Sequence, residues 1–403
     1  MIDETAVIDK IKLYEVKIPL KDPFRISGGV SFYRKSLIVV LSQGEFNGYG
    51  ESAPFEEPYY SSETISSVKC LYKGLLFDRI IDKEIKGIED INKILNEGVR
   101  GNNFAKAGIE NAYWDLICNK NKISLKELIK IKLKEMGVKE EFLESEDYIE
   151  SGVSIGIPVD NDIATLKNWT NKFIEKGYRR IKIKIKPNWD IKPLMVVRDI
   201  IGDFPLWVDA NSSYDFYEHK DIFKSMDRYN CLFYEQPLGH DDIIDHSKLA
   251  KYVDTPICLD ESLKSNQIAR QVLEIGASHI WNIKVQRIGG LLECLKVYKT
   301  AVENDVSLWG GTMPESGIGA IPIMNLSSFK GFKFPADVEE SERWYGPLND
   351  LFEIKMNGKG QINVPKCTGV ESIIDFDNLN RYSNIIADIN IDNCKMYDKK
   401  NFL

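Results

Sequence analysis

Residues 177–190 read GYRRIKIKIKPNWD, and the run RIKIKIK inside them alternates basic and isoleucine residues. Successive side chains on a strand point to opposite faces, so Lys182, Lys184 and Lys186 share one face and Ile181, Ile183 and Ile185 the other. Such a strand suits a barrel wall, with isoleucines packed beneath outer helices and lysines directed into the mouth. The competing explanation is a solvated edge strand with its lysines outward. The chain on either side of the run decides between them.

Outward from this stretch, short apolar runs recur: GVSIGI before it, then LWVDA, CLFYEQPL, ICLDES, HIWNIKV and SLWGG after it. Amphipathic segments such as NDIATLKNWTNKFIEKG and GGLLECLKVYKTAVENDV lie between them. Strands alternating with helices give a parallel sheet, and seven strands with an eighth expected are enough to close a barrel. The fold class read here is α/β: a modified (β/α)8 TIM-type barrel with an N-terminal α+β capping domain completed by C-terminal residues. IDKIKLYEV, SLIVVLS and FNGYGES within residues 8–50 read as an antiparallel meander, and residues 62–132 turn helical, with Ala107, Trp114 and Ile117 near helical spacing. The expected division is a cap at 1–133, a charged, solvated connection at 134–150, the barrel at 151–335, and a segment at 336–403 that packs back on barrel and cap.

Length and composition agree with this plan. The 403 residues exceed one ordinary compact domain, and 43% hydrophobic with 28% charged residues is a globular balance. No apolar run is long enough for a membrane span, and the opening MIDETAVIDKIKLYEV enters a strand pattern without a secretory leader, so a cytoplasmic location is expected. A net charge of −8 argues against a nucleic-acid partner. Cys70, Cys118, Cys231, Cys258, Cys294, Cys367 and Cys394 are scattered without C-x-x-C pairs and read as reduced thiols. His219, His240, His246 and His279 show no paired metal spacing and read as structural. The glycine-rich GGTMPESGIG lacks the lysine and spacing of a nucleotide loop. A homo-oligomer is compatible with all of this.

In a (β/α) barrel, functional side chains come from the C-terminal ends of different strands, so a site should recur at the length of one βα unit. Lys184, Asp209, Glu235, Asp260 and Lys284 do so, at separations of 25, 26, 25 and 24 residues, each closing its own strand. Singly, an acid at a strand end is most simply a helix N-cap; three acids in periodic order between two lysines are not so explained. Three carboxylates without His or Cys suit a hard cation, so Mg²⁺ is expected on Asp209, Glu235 and Asp260, with Mn²⁺ able to substitute. Such an ion would hold a small-molecule carboxylate, with Lys184 and Lys284 approaching its α-carbon from opposite sides and an enediolate forming between them. Neighbouring positive charge would lower the lysine pKa values and supply a base. Lys182 suits electrostatic stabilisation of the developing dianion. Ser154 and Asn211, at strand ends, are candidates to orient the carboxylate, and Glu315 to hold the Lys284 ammonium.

PFRISGG, EEPYYSSET, AKAGIENAYWDL, GYRRIKIKIKPNWD, VDANSSY, EQPLGHDD, TPICLDES and NIKVQRIGG together resemble the muconate-cycloisomerase branch of the enolase superfamily. Within it they are most similar to o-succinylbenzoate synthases and N-succinylamino acid racemases. The resemblance places the K-x-K lysines on Lys182 and Lys184, the metal ligands on Asp209, Glu235 and Asp260, and the opposite-face lysine on Lys284. It implies either syn elimination of water to give 2-succinylbenzoate for menaquinone synthesis, with Lys184 as base and Lys284 as cationic stabiliser, or racemisation using both lysines in turn. It further implies lids at 22–32 and 55–62, with Ile26 and Tyr59 as substrate contacts. Departures from the pattern are Val285-Gln286 for Pro-Gly, Asn188 and Thr312 for glycines, Ala320 for an arginine, and the run FPADVEESERWYG. Dipeptide epimerase or cycloisomerase activity would share every charged residue named, and a catalytically silent binding scaffold is the alternative outside enzymes.

Overall fold

The computed structural model describes residues 2–26, 29–313 and 315–391, with the side chains of residues 24–30 outside that set. Near the N-terminus, β1 (Lys10–Ile26), β2 (Gly29–Gln43) and β3 (Phe46–Ser52) form the antiparallel meander that their alternation predicts. A fourth strand comes from the other end of the chain: Ser383–Asn390 pairs antiparallel with β1, from Ser383 opposite Val16 to Asn390 opposite Lys10.

The sheet is buried on both faces, which explains the period-two pattern of β2. Leu37, Val39 and Leu41 join the large core, while Ile38 and Val40 join a second cluster with Tyr345, Leu351, Val370 and Leu379 from the C-terminal segment. Helix α1 (Asn103–Asn121) is buried from Phe104 to Cys118. It lies so close to β3 that a Cβ on Gly48 or Gly50 would sit 2.1 Å from the Ala112 carbonyl oxygen or 2.2 Å from that of Gly108.

The barrel strands are β4 (Val153–Ile155), β5 (Ile181–Lys184), β6 (Leu206–Asp209), β7 (Tyr234–Glu235), β8 (Ile257–Leu259), β9 (Ile280–Ile283) and β10 (Ser307–Gly310). They run parallel in chain order as one curled sheet, and each lies in a stretch expected to be a strand. Residues 331–337 supply the eighth member. On one side Lys333 N donates to Leu308 O (2.9 Å) and Asp337 N to Gly310 O (2.7 Å); on the other, Gly152 N donates to Ala336 O (2.8 Å) and Ala336 N to Glu150 O (2.8 Å).

Arg180 bolts this seam. Its guanidinium is fully buried, donates to Val153 O (2.8 Å) and Asp337 Oδ1 (2.5 Å), and lies over the Trp207 ring at 4.3 Å. Gly152 leaves room for it, since a Cβ there would sit 2.0 Å from Arg180 Nε. Trp207, Phe233, Cys258, Ile280 and Trp309 fill the barrel floor, with Phe334 packed against them.

Within 134–150, read as a solvated connection, Val138, Leu143 and Ile149 are buried and Tyr148–Glu150 pairs with Gln361–Asn363. Short apolar anchors spaced too widely for a helix or strand period account for the difference. Six cysteines are free thiols, and Cys394 lies outside the described residues. Among the described residues, no helix is long and apolar enough to cross a membrane.

Candidate active site

The lysine-bearing strand behaves as its alternation requires, but for fewer residues than the pattern runs. Ile181, Ile183 and Ile185 enter the core, while Lys182 and Lys184 point into the barrel. Lys186 does not: β5 ends at Lys184, the backbone turns so that Lys186 N donates to Trp189 O (3.0 Å), and the Lys186 side chain is exposed.

Register then assembles the charges. Lys184 lies opposite Asp209 and Asp209 opposite Glu235, while Asp260 follows the end of β8 and Lys284 the end of β9. Strands β6, β7 and β8 separate β5 from β9, so the three acids form an arc with one lysine at each end. Asp209, Glu235 and Asp260 are buried, and each offers an oxygen within 4.8 Å of the others, a donor set that could hold a metal ion. Burial first and Asp209 second push the Glu235 carboxyl up to about 8. Such crowding of hard, like-charged oxygens is what a divalent cation relieves, so the residues present fit a magnesium-type ion.

Lysines and acids interlock. Lys184 Nζ is 2.6 Å from Asp209 Oδ2 and 2.6 Å from Asn211 Oδ1. Lys182 Nζ lies 2.8 Å from Asp337, 3.3 Å from Glu235 and 3.4 Å from Asp209. Burial alone would lower the Lys182 pKa, but Asp337, Glu235 and Asp209 hold it well above its ordinary value. Lys182 is therefore an ammonium ion here, as the electrostatic role expected of it requires, and does not have the lowered pKa expected for a base. Lys284 Nζ is 2.8 Å from Asp260 Oδ2 and 3.3 Å from the Tyr60 hydroxyl. Burial opposes ionisation of Asp260, yet Lys284 and Arg287 hold its carboxyl well below the usual range.

Other expectations fare unequally. Asn211 is at the site, held at φ +42°, where it accepts from Lys184 and donates through Nδ2 to Glu261 (2.9 Å), so its contact is to the lysine. Ser154 lies beside Lys182 in register, with its Oγ buried and without a hydrogen-bond partner among the described residues. Glu315 makes no close ion pair with Lys284, whose ammonium is held by Asp260 and Tyr60, although the Lys284 charge still acts on its carboxyl; its hydrogen bond is from Gln286 Nε2 at 3.4 Å. Tyr59 is 48% exposed on the outer side of its loop, and the neighbouring Tyr60 makes the contact, donating to Asp260 Oδ1 at 2.8 Å. The Ile26 side chain lies outside the described residues, as does part of the 22–32 loop. Asn188, standing for a glycine, adopts φ +69°, a left-handed conformation that asparagine tolerates better than most residues.

Sequence reasoning missed Asp337, Arg287, Tyr60 and Glu261. Arg287 ion-pairs with Asp260 and donates through Nε to Leu263 O (3.0 Å); its place three residues after Lys284 in NIKVQRIGG was a usable signal. Asp337 ends a strand segment that contains a proline and has no alternation to reveal it.

Residues 8–130 match the mandelate racemase / muconate lactonizing enzyme N-terminal domain, and residues 165–370 match the enolase C-terminal domain-like family. The chain belongs to the enolase superfamily. Among its relatives in that superfamily, an o-succinylbenzoate synthase of Geobacillus stearothermophilus is 34% identical over 93% of this chain and 96% of its own. An N-succinylamino acid racemase of Thermus thermophilus is 33% identical over 90% of this chain and 94% of its own. A solved enolase-superfamily member from Listeria innocua superposes with a TM-score of 0.85 at 32% identity, covering 95% of this chain and 99% of that one. The molecule is thus an enolase-superfamily enzyme.

Proposed function

We propose that the enzyme binds Mg²⁺ on Asp209, Glu235 and Asp260 and removes the proton α to a substrate carboxylate. The substrate class proposed is that of its relatives: the o-succinylbenzoate synthase substrate, N-succinylamino acids, or both. The observation that carries this is the acid arc with Lys184 at one end and Lys284 at the other. When bound, the ion would draw charge from the substrate carboxylate and make the α-proton more acidic.

The chain's own groups do the rest. Lys184 and Lys284 face the α-carbon from opposite sides, so one removes a proton and the other can return one to the opposite face, which inverts the centre. In the dehydrating reaction, a syn elimination, Lys184 takes the α-proton and then gives it to the β-hydroxyl on the same face as the C–O bond breaks, so water leaves, while Lys284 remains an ammonium ion beside the enediolate. Lys182, fixed as a cation by Asp337, adds positive potential at the arc at no reorganisation cost when charge develops. Tyr60 brings the cap onto the site through Asp260 and Lys284, which helps exclude water. A silent scaffold is disfavoured because no member of the lysine and acid set has been lost.

The test is proton exchange in D₂O with Mg²⁺, using N-succinylamino acids, dipeptides and the synthase substrate, followed by NMR. Mg²⁺-dependent α-deuteration, or aromatisation of the synthase substrate, is the expected result, abolished by chelation. No exchange and no elimination with any compound would overturn the proposal, and deuteration of dipeptides alone would move the substrate class to epimerisation.

A further inference from the structure

Cap residues 53–64 form a loop whose neck is closed by Ile65 N, at the start of the helix that follows, donating to Phe55 O at 3.1 Å. Ala53 and Pro54 are buried, Glu56 to Tyr59 are exposed, and Tyr60 turns back to the barrel. One short stretch of barrel chain, Lys284 with helix α2 (Val285–Ile288), holds this loop at two points. At the far point Tyr60 meets Lys284 and Arg287. At the root, Ala53 N donates to Gln286 Oε1 at 2.5 Å, and Gln286 Nε2 reaches Glu315 at 3.4 Å.

The Ala53 peptide is also held from its own side. Its carbonyl accepts from Arg34 Nη2 at 2.5 Å, and the Arg34 guanidinium lies 5.2 Å from the Phe55 ring centroid. Ala53 is 0% and Gln286 2% exposed, so water does not replace the Gln286 oxygen when it is lost. A buried N–H without an acceptor is costly, and lifting the loop root towards solvent is the way to relieve it. Among the described residues, the hydrogen-bond partners of the Gln286 side chain are Ala53 and Glu315, and neither is a lysine or acid of the arc.

We propose that Gln286 is a positioning residue that latches the root of the 53–60 loop to the barrel and so sets how this lid seats over the distal part of the substrate. It acts on recognition and not on proton transfer. The proposal rests on the reading above only in that the substrate lies between Lys184 and Lys284, beneath this loop. Gln286 stands where a glycine was expected from resemblance, so the latch would set this chain apart in substrate range.

The test uses the full chain with Mg²⁺ and two variants. Gln286→Met keeps the side-chain length without the amide, and Gln286→Glu restores an acceptor for Ala53 N. Amide hydrogen exchange of peptides spanning 50–62 should quicken roughly tenfold in Gln286→Met and return towards wild type in Gln286→Glu, with barrel-strand peptides unchanged. KM for the substrate found in the panel above should rise roughly tenfold in Gln286→Met while kcat stays within about twofold. Unchanged exchange at 50–62 in Gln286→Met would overturn the latch. A fall in kcat at constant KM would overturn its assignment to recognition. The exchange readout needs no substrate, so failure of the functional reading, seen as an inert wild type, is distinguishable from failure of the latch.

Discussion

Replacing Asp337 probes the charge network beneath the acid arc. Its carboxylate meets Lys182 at 2.8 Å and Arg180 at 2.5 Å, and the two cations are 2% and 0% exposed. In Asp337→Ala, Lys182 retains Glu235 and Asp209 at 3.3 and 3.4 Å, whereas Arg180 keeps, among the described residues, carbonyl partners and the Trp207 and Trp309 rings. Breaking a buried ion pair by removing one partner costs about 3–5 kcal/mol. Asp337→Asn, which keeps an acceptor oxygen, should cost about 1.5–3 kcal/mol, the range for a hydrogen bond to a charged group.

Urea unfolding followed by tryptophan fluorescence is well placed to measure this, because Trp207 and Trp309 lie against Arg180. The pH dependence has a definite sign. Burial would raise the Asp337 pKa, but Lys182 and Arg180 outweigh it and hold the carboxyl far below its ordinary value. A depressed carboxyl contributes stability that is complete above its unfolded pKa and lost as pH falls towards the folded one. The gap between wild type and Asp337→Asn should therefore be constant from about pH 8 to about pH 5 and close only below about pH 4. A loss under about 1 kcal/mol in Asp337→Ala, or a gap that widens in acid, would refute the assignment.

Two further outcomes are expected. Glu110, buried in α1, caps the helix Leu291–Glu303 through Leu292 N at 2.8 Å, and burial pushes its carboxyl up to about 7. A raised carboxyl costs stability as pH climbs from the unfolded to the folded pKa, at about 1.4 kcal/mol per unit and on the order of 3 kcal/mol in all, so Glu110→Gln should flatten the stability profile between about pH 4.5 and pH 7 in calorimetry. Glu235→Gln should weaken Mg²⁺ binding by about a hundredfold or more in isothermal titration while leaving the far-UV circular dichroism unchanged, since the side chain keeps its size and one of the two oxygens to which Trp207 Nε1 and Asn282 Nδ2 separately donate.

What could be read in the chain before its structure follows from periodicity. Lys184, Asp209, Glu235, Asp260 and Lys284 stand out because each βα unit returns the chain to the same barrel end after a similar number of residues, and alternation fixes which side of β5 faces inward. The same logic fails where regular structure fails. Tyr59 and Tyr60 lie in a loop of bends, where no period tells which of two adjacent rings turns inward. Asp337 ends a segment interrupted by Pro335, which has no N–H for a ladder, and its importance rests on contacts with Arg180 and Lys182 more than 150 positions away. Lys186 misled in the opposite way, since an alternating pattern outran the strand that gave it meaning.

The most direct test of the account is face-resolved proton exchange with the two lysines separated. Each enantiomer of an N-succinylamino acid is incubated in D₂O with Mg²⁺ and Lys184→Ala or Lys284→Ala, and initial α-deuteration is followed by NMR. If the lysines work on opposite faces, each variant stops racemisation, and each loses exchange of the enantiomer whose proton its missing lysine removes, by a factor on the order of a thousand, while retaining measurable exchange of the other. Equal loss for both enantiomers in both variants, with Mg²⁺ affinity and fold intact, would contradict the two-sided arrangement that the acid arc and its flanking lysines imply.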